Sequence, residues 1–556
     1  MCWRGVGATL EGTVSFADRS AGAFLGLSLG DAYGRPLEFL RGAHMRSLVV
    51  STRKGELVWT DDTHMALYLA EAVLESGPDV LDADAFGLRV GEAFSRWLAD
   101  PFMPGTAPGN TCLTGARRWL DTRDWKISGV KDSDGCGAVM RICPLGIALA
   151  GADLTLAARV SAMLTHAHPN AVESAIAASH LLRWTLEVGR FDAALVERAL
   201  SLVGPNGTTA AALRAAIAEG GRAGVTLDES AIPEGDGGWR SPSALGLAVA
   251  AVLRGGTFEQ IVDRAARIDG DSDSVACLAG MFAGAAGGTA CLPASWVAAV
   301  HRSADIVDIA ARLAKRGQPI LAVADLHGHI GHFDALMAWS SELGAPDVVL
   351  LGDYCDNGPD IIGLIRRIIS RPETTAIMGN HDLAALRAVG WPEESSTKHW
   401  FAKWNIRYGQ TLASALGASN PADYAASLPA DVRDWLVGRP WVALSDRYCF
   451  VHAGMESGAL APQVAELLAH QLPADIDHHP APISNKALAT TADPSWSHVV
   501  LSGHKNLHGS CAYVGPNRIC LSAEVDTTGV LHAVVLPERR FVAVDRAGAI
   551  RDVNPD

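Results

Sequence analysis

Apolar residues follow two different rhythms along this chain. From Ser20 to about Val300 they recur at three- and four-residue steps. In Asn170–Val188, for example, Ala171, Ser174, Ala175, Ala178, Leu181, Leu182 and Thr185 share one face. That is the period of an amphipathic helix, and strand signal is scarce there. Beyond Pro319 the rhythm shortens. The apolar runs Ile320–Ala324, Val348–Leu351, Thr375–Met378, Tyr448–Val451 and Val499–Leu501 read as buried strands. Each opens onto residues with ligand chemistry: Asp325 and His327, Asp353, Asn380 and His381, His452, and His504. A charge at the end of a buried strand is costly unless a metal or a donor neutralises it. Five such strands predict a two-metal site on one rim.

The change of rhythm also places a joint. A short amphipathic helix (Ile306, Ile309, Ala310, Leu313) is followed by Lys315-Arg316-Gly317-Gln318-Pro319, where Gly and Pro punctuate the chain. At 556 residues the chain is too long for one ordinary core. We therefore expect two domains, 18–302 and 318–556. The polar stretches Pro392–His399 and Asp475–Asp493 read as loops.

Composition narrows the class. With 49% hydrophobic and 19% charged residues the chain reads as soluble and globular. A net charge of -15 disfavours nonspecific binding to nucleic acid or to anionic membranes. Ten cysteines without a C-x-x-C pair suggest free buried thiols in a reducing compartment. Met1–Arg19 has no apolar core of a signal peptide, and Ala21–Leu29 stops at Asp31, far short of a membrane span. The expectation is a cytoplasmic protein with no membrane partner.

Two acidic clusters mark the helical half. Trp59-Thr60-Asp61-Asp62-Thr63 precedes the apolar run Met65–Val73, and Asp269-Gly270-Asp271-Ser272-Asp273-Ser274 precedes Val275–Ala286. Helix capping accounts for one such residue at each place. Two or three neighbouring carboxylates exceed that need. If the clusters met, their oxygens would suit a hard cation such as Mg²⁺ or Mn²⁺, but spacing alone does not pair them. His166, His168 and Pro169 read as polar residues at a helix start.

Residues 20 to about 300 resemble the ADP-ribosylglycohydrolase family. The likeness rests on Gly22–Glu38, Trp59–Thr63, Ser133–Arg141, Thr165-His166, Gly238-Trp239 and Asp269–Ser274, which stand in family order. The resemblance implies an all-α bundle and a pair of Mg²⁺ (or Mn²⁺) ions held by Thr60, Asp61, Asp62, Asp271, Asp273 and Ser274. The implied reaction cleaves a glycosidic bond at the anomeric carbon of ADP-ribose. Glu38 would gate or assist the step, with Asp62 as the competing activator of water. The Gly135-Cys136-Gly137 turn would bring backbone N–H groups to the diphosphate. Ser274 stands where Thr is usual, and Asp269 where Gly is usual.

The second half resembles the calcineurin-like metallophosphoesterases, in their phosphoprotein-phosphatase-like branch. Asp325-Leu-His327-Gly, Gly352-Asp353-Tyr-Cys-Asp356-Asn-Gly, Gly379-Asn380-His381-Asp382, Val451-His452-Ala-Gly and Gly503-His504 carry the likeness. It implies an α/β sandwich in which Asp325, His327 and Asp353 hold one metal. Asp353 would bridge to a second, held by Asn380, His452 and His504. The mixed N/O set suits Mn²⁺, Fe, Ni²⁺ or Zn²⁺. His381 would be general acid, oriented by Asp356, while His329 and His332 read as loop residues. Asn357 and Met378 occupy positions where the branch usually has Arg. Their lack of a guanidinium favours a nucleotide or small phosphoester over a phosphoprotein.

The chain is thus expected to be a bifunctional hydrolase. Its partners would be an ADP-ribosylated protein, nucleotide or nucleic acid end, and a phosphorylated small molecule, nucleotide or protein. The alternative is an ADP-ribose-binding sensor that regulates the phosphoesterase.

Overall fold

The computed structural model describes residues 14–38, 40, 56–79, 81–222, 224, 226–233, 235–344, 346–391, 410–469 and 480–555. The first part of the amino-terminal stretch (1–13), the 392–399 loop and residues 475–479 of the second loop lie outside them. The chain divides between Gln318 and Pro319 into two compact units.

In the first unit the described residues form helices, and their β pairing is limited to isolated bridges. Three helices build the site: α1 (Phe16–Gly34), α2 (Asp61–Leu74) and α3 (Ser272–Gly287). Helix α1 starts at Ser15, whose hydroxyl accepts the Asp18 N–H at 3.1 Å. It is buried on nearly every face, as an all-round apolar helix must be.

Glycine makes that burial possible. A Cβ at Gly22, Gly26 or Gly30 would fall on the carbonyl oxygen of Gly284, Gly280 or Ala276, and one at Gly34 on the backbone of Ser272 and Asp273. The four-residue spacing on both helices defines an antiparallel ladder of backbone contacts. At the end of this ladder Gly34 of α1 lies against the first turn of α3, and Asp31 bonds the start of α2. Elsewhere in the unit, His168 caps the helix Pro169–Val188 by accepting the Asn170 N–H at 3.2 Å. No disulfide joins the nine described cysteines.

The second unit is a two-sheet sandwich. Its strands are β1 (Ile320–Val323), β2 (Asp347–Leu350), β3 (Thr375–Ala376), β4 (Val442–Leu444), β5 (Tyr448–Val451), β6 (Val499–Ser502), β7 (Ala512–Gly515), β8 (Arg518–Leu521), β9 (Leu531–Leu536), β10 (Arg540–Val544) and β11 (Ile550–Val553). One sheet runs β11-β10-β9-β1-β2-β3 and the other β4-β5-β6-β8-β7.

Alternation along β1 explains the layers. Ile320 and Ala322 pack with Phe450, Leu501, Ile519 and Val534 between the sheets. Leu321 and Val323 turn the other way, onto Phe333, Leu336 and Ile365. Strands β1, β2 and β3 are parallel, as are β5, β6 and β8. Their carboxyl ends carry the ligand-type residues. No described helix is long and apolar enough to cross a membrane.

Candidate metal centres

In the first unit the two acidic clusters come together. Asp31, to which the sequence pattern assigns no role, is the staple. Its carboxylate accepts the Thr60 N–H at 2.8 Å, the Thr63 N–H at 3.0 Å and the Thr63 hydroxyl at 2.6 Å, fixing the start of α2. Thr60 and Asp271 are the N-caps of α2 and α3, so capping operates here as well as clustering. The helices begin earlier than the apolar runs implied, placing Asp61, Asp62, Asp273 and Ser274 inside their first turns. Glu38, Asp271 and Asp273 each bring a carboxylate oxygen within 4.8 Å of the others. The Thr60 hydroxyl reaches Asp273 and ties the clusters to each other.

The electrostatics are those of crowded acids. Burial, followed by the Asp273 charge, raises Asp31 to about 7 and Glu38 to about 8. Burial also takes Asp61 to about 8 and pushes Asp62, Asp271 and Asp273 upward. Asp62 Oδ2 is buried without a hydrogen-bond partner among the described residues. An all-oxygen donor set with an orphaned carboxylate oxygen fits hard divalent cations.

The Gly135–Gly137 turn lies against this pocket in an unforeseen way. The Cys136 thiol donates to Asp271 Oδ2 at 2.8 Å, and Ser274 Oγ lies 3.6 Å from the same sulfur. The Cys136 N–H is engaged by the Trp239 carbonyl at 3.0 Å, so this amide faces the protein and not a ligand. A side chain at Gly137 would collide with Cys112 and His166, which accounts for the glycine.

In the second unit the strand ends converge as expected. His452 Nδ1 lies 2.7 Å from the Leu351 carbonyl and His504 Nε2 lies 3.0 Å from the Ser484 carbonyl. Because carbonyls only accept, those nitrogens carry the protons. His504 Nδ1 then faces His452 Nε2 at 3.1 Å. Asn380 Oδ1 stands 3.0 Å and Asp353 Oδ2 3.2 Å from that same Nε2. Two imidazole nitrogens, an amide oxygen and a carboxylate oxygen converge there, a mixed donor set that fits a transition-metal cation. Around the first position, His327, Asp353 and His381 form a second such group, and Asp325 accepts the His504 N–H on both oxygens, at 3.1 and 2.9 Å. His381 Nδ1 lies 2.9 Å from Asp356 Oδ2.

Charges here compensate. Burial alone would raise the Asp353 carboxyl, but His452, His381 and His327 hold it well below the usual range. Against the effect of burial, Asp353 lifts both His452 and His381 to about 9. Burial and the neighbouring His452 take His504 down to about 3. The backbone is strained at the same rim. His327, Asp353, Asp356, Asn357 and His504 all sit at positive φ, between 39° and 69°.

Asp382 is what holds that loop. Fully buried, it accepts the N–H groups of Asp353, Tyr354, Cys355 and Gly379 at 2.9 to 3.0 Å. The Gly-Asn-His-Asp motif contains it, and its place in the first turn of α4 (Asn380–Ala388) was the available signal. Asp526 was also missed, and it lies in an ordinary Val-Asp-Thr-Thr turn. Its Oδ2 accepts the Asn357 amide at 2.7 Å. His329, read as a loop residue, is its neighbour, and His332 bonds the Gly529 carbonyl at 3.0 Å.

Helix-borne carboxylates in one unit and strand-borne Asp, Asn and His in the other define a two-domain hydrolase. The chain belongs to the ADP-ribosylglycohydrolase family, whose family model matches residues 13–320, and a calcineurin-like phosphoesterase domain matches residues 318–533. Both are families of metal-dependent hydrolases. The chain is 33% identical over 169 residues to the ADP-ribosyl-[dinitrogen reductase] glycohydrolase of Rhodospirillum rubrum, covering 28% of this chain and 53% of that protein. It is 29% identical over 316 residues to the ADP-ribosylarginine hydrolase Tri1 of Pseudomonas putida, covering 54% and 80%. A solved ADP-ribosylglycohydrolase-related protein complex is 28% identical, covers 54% of this chain and 99% of its own, and superposes with a TM-score of 0.43.

Proposed function

We propose that the chain is a bifunctional hydrolase whose first domain (18–302) removes ADP-ribose from a modified target and whose second (318–556) hydrolyses a phosphoester. The observation that carries the first part is the meeting of Glu38, Asp271 and Asp273 with the α2 cluster. The names of the Rhodospirillum and Pseudomonas relatives favour ADP-ribosylated arginine on a protein as the first substrate to try.

Thr60, Asp61, Asp62, Asp271, Asp273 and Ser274 would hold two Mg²⁺ (or Mn²⁺) ions, which when bound would polarise the ribose hydroxyls. Glu38, whose carboxyl burial and the Asp273 charge push up, exchanges a proton with the leaving atom or the water. Asp62 orients the water that takes the anomeric carbon as the C–N or C–O bond breaks.

In the second domain Asp325, His327, Asp353, Asn380, His452 and His504 would hold two transition metals that neutralise phosphate charge. Asp356 fixes His381 through Nδ1, leaving Nε2, 3.8 Å from Asp353 Oδ2, to protonate the leaving oxygen. Asn357 is drawn to Asp526 and supplies no cation, so a nucleotide or small phosphoester suits the rim better than a phosphoprotein.

Product analysis by mass spectrometry tests both parts, using ADP-ribosylated arginine, serine and nucleotide substrates with Mg²⁺ and Mn²⁺. Release of ADP-ribose should disappear only in Asp271→Ala, and release of phosphate or AMP only in Asp353→Ala. ADP-ribose binding without cleavage of any substrate would overturn the first part in favour of a sensor.

A further inference from the structure

The structure assigns Asp526 as a further ligand, direct or through one water, of the cation shared by His327 and Asp353. This rests on the reading of the second domain as a metallophosphoesterase. His327 Nδ1 lies 2.8 Å from the Cys355 carbonyl, which fixes Nδ1 as a donor and turns Nε2 toward the rim. Nε2 faces two carboxylate oxygens, Asp526 Oδ2 at 3.6 Å and Asp353 Oδ2 at 3.8 Å. Both separations are too long for hydrogen bonds. A ring nitrogen and two carboxylate oxygens that converge without a hydrogen bond leave room for a cation between them. Donors about 2.0–2.2 Å from one ion stand about 3–4 Å from each other, and both separations from His327 Nε2 fall in that range.

Asp526 is also held in place for the task. Asn357, itself at a φ of 65°, donates its amide to Asp526 Oδ2 at 2.7 Å. On the other side His329 Nε2 lies 3.5 Å from Asp526 Oδ1, and this buried nitrogen has no hydrogen-bond partner among the described residues. Asn357 thus replaces the phosphate-gripping guanidinium expected there with an amide that aims a carboxylate. The rim gains a negative charge next to the His327 position.

The experiment is a Co²⁺ titration of the chelator-stripped full chain, followed by calorimetry and by visible absorption. Co²⁺ is chosen because its absorption reports nitrogen ligation, which the all-oxygen centre of the first domain does not offer. Asp526→Asn is expected to weaken one Co²⁺ by about 10–100-fold and to alter its spectrum. Asp526→Glu should restore part of both, and adding Asp526→Asn to His327→Ala should cost little beyond His327→Ala alone. The proposal is overturned if Asp526→Asn titrates and absorbs as the parent does while His327→Ala does not. If His327→Ala is also without effect, the metallophosphoesterase reading fails and takes the proposal with it.

Discussion

In the first domain Asp61, Asp62, Asp271 and Asp273 crowd together with no imidazole grouped with them among the described residues, and every one of them is pushed above its ordinary pKa. In the second, Asp353 is ringed by His452, His381 and His327 and is held far below it. The supports differ too. Backbone packing of α1 on α3 sets the first centre, whereas one buried carboxylate, Asp382, gathers four amides to set the second. A site can thus be prepared for a cation by stored repulsion or by internal neutralisation, and the two respond differently to protons and to mutation.

The largest effect expected is separation of the chemistries. Asp271→Ala and Asp353→Ala should each lower their own reaction by more than about 100-fold, since even outer partners of metal ligands are worth about 10–100-fold. Each should leave the other reaction within about twofold if the sites are independent; steady-state rates on both substrates decide this. Loss of both activities in either variant would break the comparison.

Next, Asp382→Asn puts an amide against four N–H donors and should cost about 3 kcal/mol by chemical denaturation, together with phosphoesterase activity. Gly30→Ala tests the other support. With its Cβ against the Ala276 carbonyl it should destabilise the first domain by about 1–3 kcal/mol and leave the phosphoesterase intact.

The smallest effect is a pH signature. Asp31, Glu38 and Asp61 have folded-state pKa values of about 7, 8 and 8, above those of an unfolded chain. Between about pH 4 and 8 the folded state therefore binds more protons, and metal-free stability falls as pH rises through that window. Scanning calorimetry should show Mg²⁺ raising the melting point of the first domain by more at pH 8 than at pH 6, by about a few degrees. Asp353, whose pKa is depressed, contributes in the opposite direction, with stability lost as the pH falls. An Mg²⁺ shift equal at both pH values would remove the contrast.

The layout of the second centre was legible because every ligand-type residue follows a strand end, and parallel strands bring such ends to one rim. The helical centre was legible only through resemblance, because nothing local says that Thr60 and Asp273 meet. Asp31 and Asp382 escaped for a common reason: they act on backbone amides, and periodicity does not reveal which amides will be left without partners. Asp526 gave no signal at all, since its role depends on a contact with Asn357 across 169 residues. The glycines around Cys136 point to its backbone, yet it is the side chain that touches Asp271.

The glycine steps on α1 have a consequence for variation. Where two helices meet through their backbones, no side chain remains to be repacked, so a substitution has no neighbour that can yield. Saturation mutagenesis scored for ADP-ribose release should find Gly22, Gly26, Gly30 and Gly34 intolerant even of alanine, while exposed positions of the same domain accept most residues. The spacing between the carboxylate-bearing segments would then be inherited as a property of the main chain, and drift in the surrounding apolar side chains would leave it unchanged.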